Sequence, residues 1–244
     1  MDQLEGRNPV LEALVRGRRP VKRIWLDRRA REDERVQKIL SAAGTKGVEV
    51  VRVDRTDLDR RADGRVHNGV IAHAMPLPQF TTAQLLDHIF DSGQDPFLLL
   101  CSELSYEHNL GAILRSALGF GVHGVILPTR RGASLSPVVQ RVAMGGAEEV
   151  PIVRESFHSA AKHLSKAGIP LVAADMDGEP MGKARLAGPI ALVLGGEGAG
   201  LTDGQRKRCD RAVRIPLAGD LESLNVSVAA AVLMAEKRRQ DDWF

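Results

Sequence analysis

Aromatic residues are scarce in this chain, with one Tyr, two Trp and six Phe among 244 residues. They do not interleave with basic residues, so the stacking platform used to bind single-stranded nucleic acid is missing. Cysteine is scarcer still. Cys101 and Cys209 each lie far from any Cys or His at a metal-ligand spacing, which argues against a disulfide framework and a zinc site and fits a reducing cytoplasm. No apolar run approaches the roughly 18 to 20 residues of a membrane span, and the opening MDQLEGRNPV has no signal-peptide core. A soluble, cytoplasmic protein with no metal and no membrane partner is expected. The glycines cannot be fitted to GxGxxG, and no Lys-Ser/Thr of a phosphate-binding P-loop follows them, so NAD and ATP are poor candidates.

What remains is enough for a real core: 43% of residues are hydrophobic and 27% charged, which suits one large or two small domains. The formal net charge is only +3, but residues 1–75 hold 17 Lys and Arg against 12 Asp and Glu, so the basic excess is N-terminal. Its densest part runs through Arg16, Arg18, Arg19, Lys22, Arg23, Arg28, Arg29, Arg31 and Arg35. Such a cluster suits a phosphate backbone, and equally a solvated surface.

Periodicity and punctuation predict alternating helices and strands. In residues 1–75 a helix starts at Asn8-Pro9 and ends near Gly17, strands follow at 21–26, 48–53 and 69–73, and a helix at 33–43 stops at Gly44. These form a small α/β domain. Two prolines in residues 75–79 favour an extended connection, so residues 76–92 read as a linker and first helix, with a larger domain over 93–244. After the first helix at 81–89, that domain holds strands at 96–101, 122–127, 170–174 and 190–194, with helices at 137–144 and 156–167 among them, the alternation of a mostly parallel sheet.

The C-terminal stretch organises the rest. A buried strand at 190–194 stops at Gly195 and opens into GGEGAGL, in which Glu197 is the one charged group; open α/β sheets bind ligands at that end of their strands. A second strand near 213–217 leads into GDLESLN and then a helix, which Ser223 or Asn225 can cap and whose negative end suits Lys237, Arg238 and Arg239. Upstream, NLGAILRSA carries Asn109, read as the cap of a helix that contains Arg115.

In that order NLGAILRSA followed by Phe120-Gly121, GGEGAGL, and IPLAGDLESLNVSVAAA resemble the three signature motifs of the SpoU family of RNA ribose methyltransferases, within the SPOUT superfamily. The whole length is similar to its rRNA guanosine 2′-O-methyltransferase branch, which GRNPVLEAL and His67-Asn68-Gly69-Val70 also match. Two departures stand out: Tyr106-Glu107-His108 where relatives often have an Asp-Pro type step, and Met144 in a run where relatives commonly carry Ser.

The resemblance implies a C-terminal sheet with a trefoil-knotted site for S-adenosylmethionine and an N-terminal RNA-binding domain like certain ribosomal proteins. It places Leu194, Gly195, Gly196, Gly200, Ile215, Leu217, Leu224 and Asn225 around the cofactor. Arg115 would stabilise the attacking ribose oxygen, since a guanidinium is a poor base. Glu197 would orient Arg115 or take the proton, with Asn109, Ser223 and Asn225 fixing loop and ribose. The implied partner is RNA, 23S rRNA or a ribosome assembly intermediate, and the implied assembly a homodimer. A tRNA ribose methyltransferase is the alternative within the same chemistry; a non-catalytic ribosome-associated RNA-binding protein is the alternative outside it.

Overall fold

The structure, a computed structural model, describes residues 1–129, 132–198 and 200–243, so Ala199 of GGEGAGL lies outside the described residues. The chain divides into two compact units, Met1–Pro78 with Leu135–Glu149, and Gln79–Ser134 with Val150–Phe244.

The first unit is built from β1 (Asp2–Glu5), α1 (Arg7–Arg16), β2 (Val21–Asp27), α2 (Glu34–Thr45), β3 (Glu49–Val53), α3 (Arg55–Ala62) and β4 (Val70–Ala74). Its sheet runs β1-β4-β2-β3, with only β2 and β3 parallel. Side chains alternate across a strand. Ile24 and Leu26 of β2 therefore join Val10, Leu14, Val36 and Ile39 of α1 and α2 in one core, while Trp25 points the other way and packs with Leu58 of α3 and Ile71. Helix α1 begins one residue before the expected Asn8, with Gly6 in the capping position, and ends where Gly17 adopts the left-handed conformation that glycine accepts without strain. The expected stop of α2 at Gly44 is passed: the helix continues to Thr45, and Asp33 caps its start by accepting from the Val36 N–H at 3.1 Å. Strand β1 and helix α3 were not legible from periodicity, because α3 is almost wholly charged on its outer face.

The second unit continues with α4 (Thr82–Asp91), β5 (Phe97–Cys101), α5 (Glu107–Gly119) and β6 (Gly124–Leu127). The chain then leaves it for α6 (Pro137–Ala143) and α7 (Gly146–Glu149), which cluster with the first unit, although chain order alone groups them with 93–244. Buried Arg19 accounts for this: its guanidinium pairs with Glu148 of α7 and Asp2, and donates to Gln140 of α6 at 3.2 Å.

The chain returns as β7 (Ile152–Arg154), α8 (Phe157–Lys166), β8 (Leu171–Pro180), β9 (Ile190–Leu194), α9 (Asp203–Arg206), β10 (Arg211–Arg214) and α10 (Val226–Gln240). All six strands of this sheet are parallel, in the order β10-β8-β9-β5-β6-β7. Leu98, Leu100, Ala191 and Val193 face α4 and α8 in one core layer. Two expected strands change. The one placed at 170–174 runs on to Pro180, because its pairing with β10 jumps from Ala173 to Glu179 and residues 174–178 bow out. The one placed near 213–217 ends at Arg214, freeing Ile215 and Leu217 for the loop beyond.

Helix α10 is anchored at its end. Lys237 is 1% exposed, pairs with Asp241 and lies 5.1 Å above the Phe97 ring, while Arg238 donates to the carbonyls of Phe120 and Gly121 at 2.7 Å each. His123 Nδ1 accepts the Phe97 N–H at 3.0 Å beside these cations. Burial, with Arg238 and Lys237 nearby, holds the His123 pKa below its usual value. A histidine whose folded pKa lies under its unfolded one contributes fully above pH about 6.5 and loses that contribution as pH falls toward the folded pKa. His123→Asn keeps an acceptor for the Phe97 N–H and removes the titration. Thermal unfolding of this variant should match the parent at pH 7.5 and fall less steeply between pH 7 and 5.5, the remaining loss reflecting His73, whose pKa burial also lowers. An equally steep acid loss would contradict this assignment.

Candidate functional site

The carboxyl ends of β9 and β10 and the bowed middle of β8 open onto a cavity of about 590 Å³. Its nearest wall is the glycine loop. After Leu194 the chain turns back on itself: the Gly196 N–H donates to the Gly200 carbonyl at 2.9 Å and the Gly200 N–H to the Gly196 carbonyl at 3.1 Å. A Cβ on Gly195 would sit 2.7 Å from the Gly200 carbonyl carbon, so only glycine fits there. The opposite wall is the segment from Val213 through Ile215 and Leu217 to Leu224, and the bowed residues Ala174, Asp175 and Met176 close a third side.

One hydrogen-bonded relay joins the three loops. Asn225 occupies the N-cap of α10, where its Oδ1 accepts the Ser227 N–H at 2.9 Å. Its Nδ2 donates to Asn109 Oδ1 at 3.1 Å, and Asn109 Nδ2 donates to Glu197. Glu197 also accepts the backbone N–H groups of Ser105 at 3.1 Å and Tyr106 at 3.2 Å. The amide orientations are fixed by this chain, because flipping Asn109 would turn its oxygen toward the carboxylate. Tyr106, at the N-cap of α5, makes no side-chain capping bond; the carboxylate from the glycine loop satisfies that helix end instead and suits its positive dipole.

Eleven of the twelve site residues expected from sequence line this cavity: Asn109, Leu194, Gly195, Gly196, Glu197, Gly200, Ile215, Leu217, Ser223, Leu224 and Asn225. The twelfth, Arg115, does not. It lies six residues beyond Asn109 on α5, about 9 Å along the helix axis and about two-thirds of a turn round. Its side chain is exposed, with no hydrogen bond or ion pair among the described residues. The contact expected between Glu197 and Arg115 is thus not made within one chain, since Glu197 turns to Asn109 and the start of α5. Nor does Asn109 cap the helix: it lies inside the first turn of α5, which leaves its amide free for the relay. Of the two candidate caps for α10, Asn225 takes the role, and Ser223 stays exposed in the loop.

Asp175 and Met176 line the cavity without having been singled out, and so does Tyr106, which was noted only as a departure from the family pattern and not as a site residue. The polar break Asp175-Met176-Asp177-Gly178 after an apolar strand was the signal for a bulge. Asp175 is held by Arg206 at 2.9 Å. The cysteines offer no nucleophile, because burial pushes the Cys101 thiol up to about 12 and that of Cys209 up to about 11. Among the described residues no group of three His, Cys, Asp or Glu side chains could hold a metal ion.

The family model described as the SpoU rRNA Methylase family matches residues 96–235. The chain belongs to the SpoU rRNA methylase family. A second model, RNA 2′-O ribose methyltransferase substrate binding, matches residues 3–80. The chain is 40% identical over 240 residues to an uncharacterized tRNA/rRNA methyltransferase of Mycolicibacterium vanbaalenii, covering 96% of this chain and 75% of the relative. It is 38% identical over 214 residues to the 23S rRNA (guanosine-2′-O-)-methyltransferase RlmB of Escherichia coli K12, covering 87% and 88%. Among solved structures, the SpoU methyltransferase AviRb from Streptomyces viridochromogenes in complex with AdoMet superposes with a TM-score of 0.80 at 27% identity, covering 98% of this chain and 89% of that one.

The SpoU glycine loop has no room for a side chain at its first turn. Gly195→Ala forces a Cβ against backbone on the far side of the loop and should destabilise by about 1 to 3 kcal/mol, the usual range for overpacking. Gly44→Ala, which meets nothing within 4 Å inside α2, should not lower stability. Thermal melts of the pair check this, and equal melting temperatures would contradict the packing described.

Proposed function

We propose that this chain transfers a methyl group from S-adenosylmethionine to a ribose 2′-hydroxyl of RNA, with a guanosine of 23S rRNA as target. The observation that carries the reading is the relay from Glu197 through Asn109 to Asn225, which assembles all three family motifs around one cavity. The relative from E. coli supports the guanosine and the large-subunit rRNA. A tRNA ribose is the second reading, favoured by the mycobacterial relative, whose name covers both RNAs.

The cavity fits the proposed cofactor. Leu194, Ile215, Leu217 and Leu224 provide apolar walls for an adenine ring, and glycine-loop backbone can hydrogen-bond its edges and ribose. The charged lining groups are Asp175, Glu197 and Arg214, a balance of one negative charge, which suits a sulfonium and not a nucleoside triphosphate. When bound, S-adenosylmethionine supplies a methyl group that already carries its leaving group. The tasks left to the protein are to hold the ribose oxygen in line and to stabilise the charge that develops on it. The family's trefoil knot belongs to the same proposal, with the 195–201 and 215–225 segments as its crossing loops.

Arg115 is the residue we assign to the ribose oxygen. Permanently charged, it serves as a preorganised cation and not as a base. Because it stands outside its own cavity, we place it at the cavity of a second copy in a homodimer. The relay residues are positioning groups, with Ser223 and Asn225 nearest the ribose. Residues 1–75 would bind the substrate RNA, in the cytoplasm where rRNA is made; no helix among the described residues is long and apolar enough to cross a membrane.

Arg115→Ala should lower methyl transfer to rRNA by roughly 100-fold to 1,000-fold, the loss typical of one preorganised donor, with S-adenosylmethionine affinity unchanged by calorimetry. Wild-type rates in the variant would remove Arg115 from the mechanism. Mixing inactive Arg115→Ala chains with inactive Asn225→Ala chains should recover activity, since each mixed dimer rebuilds one site; no recovery would contradict the shared site. Glu197→Gln should weaken cofactor binding and the rate together by loosening the start of α5, whereas a loss of rate that is restored at high pH would make Glu197 a proton acceptor instead.

A further inference from the structure

The first unit holds a cavity of its own, of about 780 Å³, bounded by the carboxyl end of β2, the starts of α1 and α2, and Asn68-Gly69. Seven Lys and Arg side chains line it against three acids, a balance of four positive charges. The acids are already matched. Arg7 pairs with Asp33, Lys38 with Glu34 at 2.6 Å, and Arg55 lies 4.0 Å from Asp27. Arg141 is held by the Val66 carbonyl at 3.0 Å. The side chains of Arg29, Arg31 and Arg35 line the same cavity, are exposed, and make no hydrogen bond or ion pair among the described residues.

The segment that carries these arginines is nevertheless built. Asp27, 6% exposed, accepts the Arg29 N–H at 2.9 Å, and its own N–H donates to the Gly69 carbonyl at 2.9 Å. The Asp33 cap fixes the start of α2 on the other side. Three guanidiniums are thereby presented over a stretch of seven residues, while most other basic residues of the N-terminal cluster turn to other work: Arg19 is buried in an ion-pair network, Arg16 and Arg23 pair with Glu12 and Glu49, Arg28 lies 3.6 Å from Asp54, and Arg18 donates to the carbonyls of Glu148 and Glu149; Lys22 is exposed but lies outside the cleft. Among the described residues no aromatic side chain lines the cavity, so they offer nothing on which to stack a base.

We infer that this cleft is a phosphate-backbone site for substrate RNA, in which Arg29, Arg31 and Arg35 engage successive phosphodiester groups and read no sequence. The inference rests on RNA being the substrate and adds where and how the first unit holds it. Backbone contacts of this kind release condensed counterions, so each phosphate engaged on a single strand contributes about 0.7 to the slope of log affinity against log salt.

The test is fluorescence anisotropy of an unstructured 20-nucleotide RNA of mixed sequence with the full chain, without S-adenosylmethionine, across a salt series. The combined Arg29→Ala, Arg31→Ala, Arg35→Ala variant should bind at least tenfold more weakly, with a salt slope shallower by about 2. The three-lysine variant at the same positions should stay within a few-fold of the parent. Affinity and slope unchanged in the alanine variant would overturn the site. An equal loss on replacing Lys22, Arg60 and Lys166, exposed cations outside the cleft, would overturn it too, since the effect would then be net charge alone. Inorganic phosphate at millimolar concentration should not displace the RNA; full displacement would make the cleft a small-anion site. Single Arg31→Ala and Arg35→Ala variants give the same readout should the triple variant unfold. Failure of the parent chain to methylate any RNA would count against the proposed function and leave this binding measurement standing.

Discussion

The functional half of the molecule depends on one carboxylate. Glu197 is carried by a loop of glycines, which could adopt many conformations by itself, and it is fixed there by donors from elsewhere: two backbone N–H groups at the start of α5 and the Asn109 amide. The arrangement is reciprocal. Helix α5 lacks a side-chain cap of its own, so the group that orders the glycine loop also completes the helix. Asn109 then passes the constraint to Asn225, which spends its other end on the N-cap of α10. Asn109 is thus tied to Glu197, 88 residues away, and to Asn225, 116 residues away, and the three segments are held in register by four amides and one charge.

Much of this was legible in the sequence because it is written in short-range patterns. The strand at 190–194 is an uninterrupted apolar run bounded by glycine, and it is found where that run stands. Local pattern marked Glu197 as the charge of the glycine loop and Asn109 and Asn225 as helix caps; the resemblance to the SpoU motifs brought them to one site, and the bonds among them were not expected. The parts that were not legible depend on distant partners. The bow of β8 at 174–178 arises from the path of β10, whose backbone would meet a Cβ on Gly178 at 2.5 Å. The passage of 135–149 to the first unit follows from a buried ion pair between Arg19 and Glu148, residues 129 apart in sequence. No local pattern records either.

Charge was the least informative signal taken as a sum and the most informative taken residue by residue. The N-terminal cluster reads as one basic patch in sequence, yet it separates into a buried structural arginine, several surface pairs of small energetic weight, an exposed Lys22 away from the cleft, and the guanidiniums of Arg29, Arg31 and Arg35 on the cleft, without ion pairs among the described residues. The same economy of pairing distinguishes Arg115, the exposed cation of the first signature motif, from Arg206 and Arg238, which are committed to Asp175 and to the carbonyls before His123.

The glycine loop and the 215–225 loop line a single cavity, stitched together through Asn109, and S-adenosylmethionine is its proposed occupant. Amide hydrogen exchange of the full chain with and without that compound tests it directly. Exchange should slow in residues 194–201, 213–226 and the start of α5 together, with the first unit unaffected. No protection at these segments at saturating ligand, or protection of one loop without the other, would contradict it.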